Sequence, residues 1–248
     1  MMFKKLAIYL MVPVFSLSMI FNQSAYAEWY LGGAVGVTIP HTIDDLESTG
    51  SGFTITSSGL DPDTAFVGGI KGGYFFESIP YLGVEVNWGM STSDIDKEAV
   101  ALTISGTATG LGAGQATGNF LYSADVDYVS SFGFLAMLRV TDEDAAKEYL
   151  GIQPYLGLGF SVTTLEIKSA TLFNTAGAQV GTTANSDSST DVGFLLSTGL
   201  NYIVSDNIKV YSEYKFQTVE HTLTMDAGVD SKLTNESSSV VFGASYSF

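Results

Sequence analysis

Two histidines, His41 and His221, are the only side chains here that ordinarily titrate near neutral pH, and the chain has no cysteine. His221 lies in TVEHTLTMD, beside Glu220 and Asp226. A histidine base next to a Ser or Thr nucleophile is the chemistry such a stretch could support. Both histidines fall in segments that read as exposed polar loops, and a solvated loop histidine accounts for each. Two distant histidines without cysteine do not make a zinc site. Asp61-Pro62-Asp63 and the run Asp142 to Glu148 (DEDAAKE) are acidic clusters that could collect calcium weakly, but they lack the ordered oxygen spacing of an EF-hand. Gly110 to Gly118 (GLGAGQATG) has the wrong spacing for a nucleotide loop and reads as flexible linker. The expectation is therefore no catalytic, cofactor or metal site.

A different set of ionisable residues is more regularly placed. Lys71, Glu85, Asp127, Arg139, Lys209, Glu213 and Lys215 each fall within a stretch of alternating polarity, on the side richest in glycine. What positions them is a series of strands, and the composition says where such strands belong.

The chain opens with a secretory pattern: Lys4 and Lys5, an apolar run from Leu6 to Ile20, and Ala25-Tyr26-Ala27 before Glu28. Cleavage there leaves one domain, residues 28–248. Mean hydropathy is +0.25, yet past the leader no run reaches the 18 apolar residues of a membrane helix. Net charge is −16, and loss of the two leader lysines makes it −18. Nucleic acid and anionic lipid are poor partners for such a chain. An exported, apolar, glycine-rich chain without cysteine suggests a transmembrane β-barrel, with a soluble all-β domain as the alternative.

Eight stretches alternate with period two. In EWYLGGAVGVTI, Trp29, Leu31, Val35, Val37 and Ile39 oppose Tyr30, Gly32, Ala34, Gly36 and Thr38. AFVGGIKGGYF, YLGVEVNWGM, VDYVSSFGFLAMLRV, IQPYLGLGFSV, VGFLLSTGLNYI, IKVYSEYKF and SSSVVFGASYSF repeat the scheme. In the fourth, Val126, Tyr128, Phe132 and Phe134 share one side, and Asp127, Ser131, Gly133 and Arg139 the other. Short links (ESIP, TDEDAAKEY, SDN) alternate with long polar ones: Pro40 to Asp63, Ser91 to Gly118, Lys168 to Thr190 and Gln217 to Glu236. Short turns on one side and long loops on the other are the layout of an outer-membrane barrel.

A soluble barrel would turn its large apolar residues inward. Two features favour the inverse. The polar face mixes Gly and Ser with charges, which suits a narrow eight-stranded lumen. Aromatics form two girdles on the apolar face: Trp29, Tyr74, Tyr202, Tyr246 and Phe248 toward the short turns, and Trp88, Tyr128, Phe194 and Tyr214 toward the long loops. Lumenal charges must pair. The expectation is a structural network in which Arg139 and Lys71 meet Glu85 and Glu213, with Asp127 on the same face. A lumen so filled argues against a wide pore.

WYLGGAVGV, GGYFF leading to LGVEVNW, QPYLGLGF, STGLNYIVSDNIKVYSEYKF and FGASYSF, in this order, make residues 28–248 resemble the small eight-stranded outer-membrane barrels. These are the OmpA-like and OmpX-like transmembrane domains and the opacity-type surface proteins. The resemblance implies insertion among outer-membrane lipid and lipopolysaccharide and a Glu85–Arg139 pair inside; because the chain stops at the barrel, a periplasmic peptidoglycan-binding domain of the OmpA kind is not expected. Gly243, Tyr246 and Phe248 resemble the terminal signal read by the barrel-assembly machinery; Val241 departs from it. The implied role is structural or interactive, with loops meeting a host or matrix ligand and no catalysis. The pattern of His-x-Ser on a strand, which lipid A deacylase barrels carry, is missing from the chain. A small channel, or a loop-borne lipid A-modifying enzyme or protease, is the second class.

Overall fold

A computed structural model describes residues 28–248 except 44–45, 51–52, 93–94, 109–111, 141–145, 147–149, 175, 180–185 and 226–228. The leader, Asp226, most of the acidic run at 142–148 and the side chains of 110–118 lie outside the described residues.

Among the described residues, eleven strands form one antiparallel sheet: β1 (Glu28–Pro40), β2 (Leu46–Gly50), β3 (Phe53–Ser58), β4 (Ala65–Phe76), β5 (Ile79–Ser91), β6 (Ile95–Ala108), β7 (Gly112–Arg139), β8 (Ile152–Phe173), β9 (Asp187–Ile203), β10 (Ile208–Met225) and β11 (Val229–Ser247). Eight of them, β1-β4-β5-β7-β8-β9-β10-β11, close into a ring through a β1–β11 ladder from Tyr30↔Ser247 to Pro40↔Ser237. Closure leaves no edge groups for lipid to desolvate. The alternating stretches become these staves. Leu31, Val35, Ile70, Val86, Phe132, Leu158, Leu200, Val210 and Phe242 all face outward and are exposed. On β1 this apolar set runs from Trp29 to Ile39; at about 3.3 Å per residue and a tilt near 40° it spans about 25 Å, the height of a lipid-facing band.

The long links expected to be polar loops are largely strand. β1, β4 and β5 stop at the upper end of the band, but β7 to β11 continue. Their open side is filled by β6, β3 and β2. β6 pairs with upper β7, β3 with β6, β2 with β3, and β2 with upper β11 at Asp230–Lys232. A second tier of eight strands, here called the collar, therefore sits on the first ring, shares five staves with it and is open along the β9–β10 seam. Its β9–β10 ladder ends at Phe194↔Thr218.

Polarity inside changes with height. Within the band the lumen holds charges, hydroxyls and a small hydrophobic cluster of Phe75, Leu135, Met137, Tyr155 and Leu195. Inside the collar it becomes an apolar core that includes Ile43, Leu60, Ile95, Val126, Leu165, Ile167, Leu223 and Leu233. Ile43 and Leu60 bridge each other by backbone hydrogen bonds (Ile43 N–H to Leu60 O, 2.7 Å), which folds the start and end of the first long link into the barrel mouth.

The β7–β8 register shifts on both sides of Val126: Asp125 pairs with Ser169, Val126 with Ile167 and Tyr128 with Glu166. The register thus steps past Asp127 on β7 and Lys168 on β8. A bulge of this kind reverses facing. It corrects two expectations. Val126 turns inward and is buried, whereas Asp127 leaves the lumenal face and stands 39% exposed, paired with Lys168 at 2.7 Å.

Candidate functional site

The lumenal charges stand in two tiers. At the floor, the Glu28 carboxylate accepts from Arg139 Nη1 on one oxygen, and from Lys209 Nζ and Ser247 Oγ on the other. Arg139 Nε also donates to the Pro80 carbonyl, and the guanidinium lies 4.1 Å from the Phe75 ring centre. Arg139 therefore meets Glu28, not Glu85 or Glu213, which corrects both the expected network and the pair implied by resemblance. In a closed ring, the side chain opposite Arg139 is set by strand stagger, which sequence order does not reveal.

The second tier centres on Lys71. Its ammonium lies 2.7 Å from Glu213 Oε2 and 3.3 Å from Glu85 Oε2, and all three side chains are buried. The Tyr155 hydroxyl donates to Glu213 (2.6 Å), the Tyr30 hydroxyl to Glu85 (2.8 Å) and Asn87 Nδ2 to Glu85 (3.1 Å). Lys215 Nζ is 3.2 Å from the other Glu213 oxygen. Lys71 also sits 4.0 Å over the Tyr211 ring, a favourable place for a desolvated cation. Two glycines make this possible. A Cβ on Gly243 would lie 2.5 Å from the Tyr211 ring, and one on Gly199 would lie 2.5 Å from the Tyr155 hydroxyl. Lys71, Glu85 and Glu213 come together; Arg139 and Lys209 sit below them; Asp127 is elsewhere.

Above this, Ser131 donates to the Gln217 carbonyl oxygen (3.0 Å), Gln217 Nε2 to Thr163 (2.8 Å) and Thr163 to Ser131 (3.1 Å), a closed cycle. Side chains fill the lumen. Cavities of about 20 Å³ near the floor, about 90 Å³ beside Lys71 and Gln217, and about 80 Å³ inside the collar lie between them.

His221 is not the solvated loop residue expected from sequence. It lies on β10, fully buried, where the β9–β10 ladder has ended. Its Nδ1 is 3.1 Å from Asp191 Oδ2, which also receives the Ser189 hydroxyl. Asp191 faces His221 across the seam where ladder bonds would otherwise continue. Both lie beyond the Phe194–Tyr214 end of the apolar band. Burial pushes the imidazole below its ordinary value, more than Asp191 pulls it up. Burial raises the Asp191 carboxyl, but bonds from Ser189 and His221, with the histidine's charge, bring it below the ordinary value. His41 is exposed; its Nε2 is 3.0 Å from Ser238 Oγ and its Nδ1 3.6 Å from Glu236.

Sequence reasoning missed Glu28, which stood next to the leader and read as a chain end. It also missed the seam. The run Val219-x-His221-x-Leu223 continues the alternation of β10, and that signal was available.

No curated protein matches the sequence. Among solved structures, the chain is similar to Neisserial surface protein A at 16% identity and a TM-score of 0.46, over 90% of this chain and 99% of the other. It is similar to the outer membrane protein OprG from Pseudomonas aeruginosa at 14% and 0.46, over 90% and 96%. The outer membrane protease OmpT from Escherichia coli aligns at 9% and 0.51, over 92% and 99%, a likeness of fold alone. A family model described as the outer membrane protein beta-barrel domain matches residues 8–248. The chain belongs to that family, and it is an outer-membrane β-barrel protein.

Proposed function

We propose that this barrel is a surface-interaction protein, which holds the collar outside the cell and presents the ends of its hairpins to partners. The observation that carries this reading is the second tier of paired strands. β2, β3 and β6 join five continuing staves, so the hairpin ends stand on hydrogen-bonded sheet. A rigid base lowers the ordering cost of binding at those ends. The partner classes proposed are outer-membrane lipid and lipopolysaccharide around the band, the assembly machinery at Gly243, Tyr246 and Phe248, and a host or matrix ligand at the hairpin ends. A channel role fits less well, because the Glu28 and Lys71 tiers occupy the lumen. A hydrolytic role would use the Asp191–His221 pair. His221 Nε2 is buried and has no hydrogen-bond partner among the described residues, so turnover would need the collar to open.

The test is binding of surface-displayed protein to cells and matrix components, with residues 51–52, 109–111, 180–185 and 226–228 deleted in turn. At least one deletion should lower binding tenfold or more while the barrel keeps its folded gel mobility. If no deletion alters binding, the reading fails. A steady conductance in planar bilayers, or proteolytic or lipid A turnover lost in His221→Ala, would replace it with the channel or the enzyme.

A further inference from the structure

Above Phe194↔Thr218 no ladder closes the wall of the collar between β9 and β10 among the described residues. β9 runs on to Asp187 against β8, and β10 to Met225 against β11. Asp191 ties the two edges instead. Its carboxylate accepts the Thr222 backbone N–H and lies 3.1 Å from His221 Nδ1. A carboxylate only accepts, so Nδ1 carries the imidazole proton and Nε2 is the bare nitrogen. Water reaches the tie from one side, since the Asp191 side chain is 31% exposed and that of His221 fully buried. Nε2 is buried and has no hydrogen-bond partner among the described residues. Val219 and Leu223 flank it on β10, and Leu233 is its register partner on β11. On β9, Ser189 donates to Asp191; on β8, Thr163 and Leu165 are buried and uncharged. Glu220 and Lys232 stand on the exposed outer face. Asp191 is the charged group, among the described residues, that acts on the imidazole.

Acid adds a proton at Nε2, where the new N–H has no acceptor and the new charge no water. Burial outweighs the pull of Asp191 on this imidazole. The cost is relieved when the ring reaches water. The seam is where the collar can part without breaking a ladder, because its other junctions are bonded strand to strand. We propose that Asp191 and His221 form an acid-operated latch: at neutral pH they hold the collar shut at the β9–β10 seam, and acid parts the β8–β9 and β10–β11 hairpins there, uncovering the apolar core around Leu165, Leu223 and Leu233. The latch works in the collar wall and stands whatever the hairpin ends bind. An imidazole in water titrates near 6.5, so the open form gains up to about 30-fold between pH 7.5 and 5.0.

The chain has no cysteine, so nitroxide pairs can be placed at chosen sites in the mature protein refolded into lipid vesicles. Thr190 and Thr222 are exposed and would face each other if the β9–β10 ladder continued, so labels on Thr190→Cys and Thr222→Cys read the seam. Labels on Thr222→Cys and Lys232→Cys read the bonded β10–β11 ladder beside it. Dipolar broadening in frozen samples should be strong for both pairs at pH 7.5. At pH 5.0 the seam pair should lose it, reversibly, in about a third of the molecules or more, while the ladder pair keeps it. His221→Leu retains Asp191 and has nothing to protonate at Nε2, so its seam spectrum should not respond to pH. His221→Asn, which keeps a donor toward Asp191, is run beside it in case the leucine variant does not fold, and should behave alike. A seam pair unchanged at pH 5.0 with His221 in place, an equal loss in the ladder pair, or a pH response that persists in a folded His221 variant would overturn the latch.

Discussion

Replacing Lys71 with methionine removes the cation that two buried carboxylates share. At an effective dielectric near 20, its separations of 2.7 Å from Glu213 and 3.3 Å from Glu85 correspond to gross attractions of about 6 and about 5 kcal/mol. Desolvation of three ions offsets much of this in the intact cluster, so the cost of the substitution comes from what it leaves behind. Glu213 keeps Lys215 at 3.2 Å and the Tyr155 hydroxyl. Glu85 keeps Tyr30 and Asn87 as hydrogen-bond donors but loses its cation. Stranding such a charge costs about 3–5 kcal/mol. With a urea slope of about 2.5 kcal/mol per molar, Lys71→Met should lower the unfolding midpoint in lipid vesicles by about 1.5 M. Trp29 and Trp88 supply the fluorescence signal, and gel mobility the independent probe. The sharper test is Glu85→Gln. In the native background it weakens a charged pair and should destabilise. In Lys71→Met it neutralises the stranded charge and should recover about 1.5 kcal/mol or more. If Glu85→Gln lowers the midpoint equally in both backgrounds, the cluster is not organised around Lys71 and the reasoning is wrong.

Asp127→Ala should cost under about 1 kcal/mol in the same assay, because the Asp127–Lys168 pair is exposed; a loss as large as that of Lys71→Met would put Asp127 back in the lumen. Gly159→Val should block folding, judged by gel mobility, since a Cβ there would lie 1.8 Å from the Phe134 carbonyl oxygen. Gly68→Ala, with nothing within 4 Å of its Cβ, should fold normally, and equal behaviour of the two would refute the packing. For His221, whose value is lowered by burial, the stabilisation is complete above about pH 6.5 and is lost as pH falls through the lower folded value. Asp191 is lowered from an ordinary value of 3.8, so its own loss belongs to still more acid solution. Between pH 7.5 and 5.0 the wild type should therefore lose more stability than His221→Leu, and an equal loss in both would remove the buried neutral imidazole from the account.

The staves were legible because one physical rule covers them: lipid on one side and a narrow lumen on the other force strict alternation over each crossing. The outward sets from Trp29 to Ile39 and from Phe132 to Leu138 stand as that rule predicts. The collar obeys the same rule more quietly. Its strands face water on the outside, and Ser, Thr and Gly in FTITSS and ALTISGTA read as loop although Phe53, Ile55, Leu102 and Ile104 alternate. Asp127 was misplaced because one bulge residue inverts every inference drawn from parity. Arg139 was matched to the wrong carboxylate because partners across a lumen depend on stagger. Its partner Glu28 belongs to another strand, 111 residues away in sequence.

The collar also bears on how such a protein can diversify. Surface segments of a membrane protein are usually free to lengthen, shorten and drift. Here β2, β3 and β6 are held in register between β7 and β11, so a one-residue insertion within them would exchange their inner and outer faces. Tolerated change is thereby channelled to positions between strands, such as 51–52, 109–111, 180–185 and 226–228, where an insertion leaves the ladders unmoved. Selection by antibodies or shifting partners would act on a narrow rim of the molecule, while the sheet below it stays as constrained as the part that crosses the bilayer.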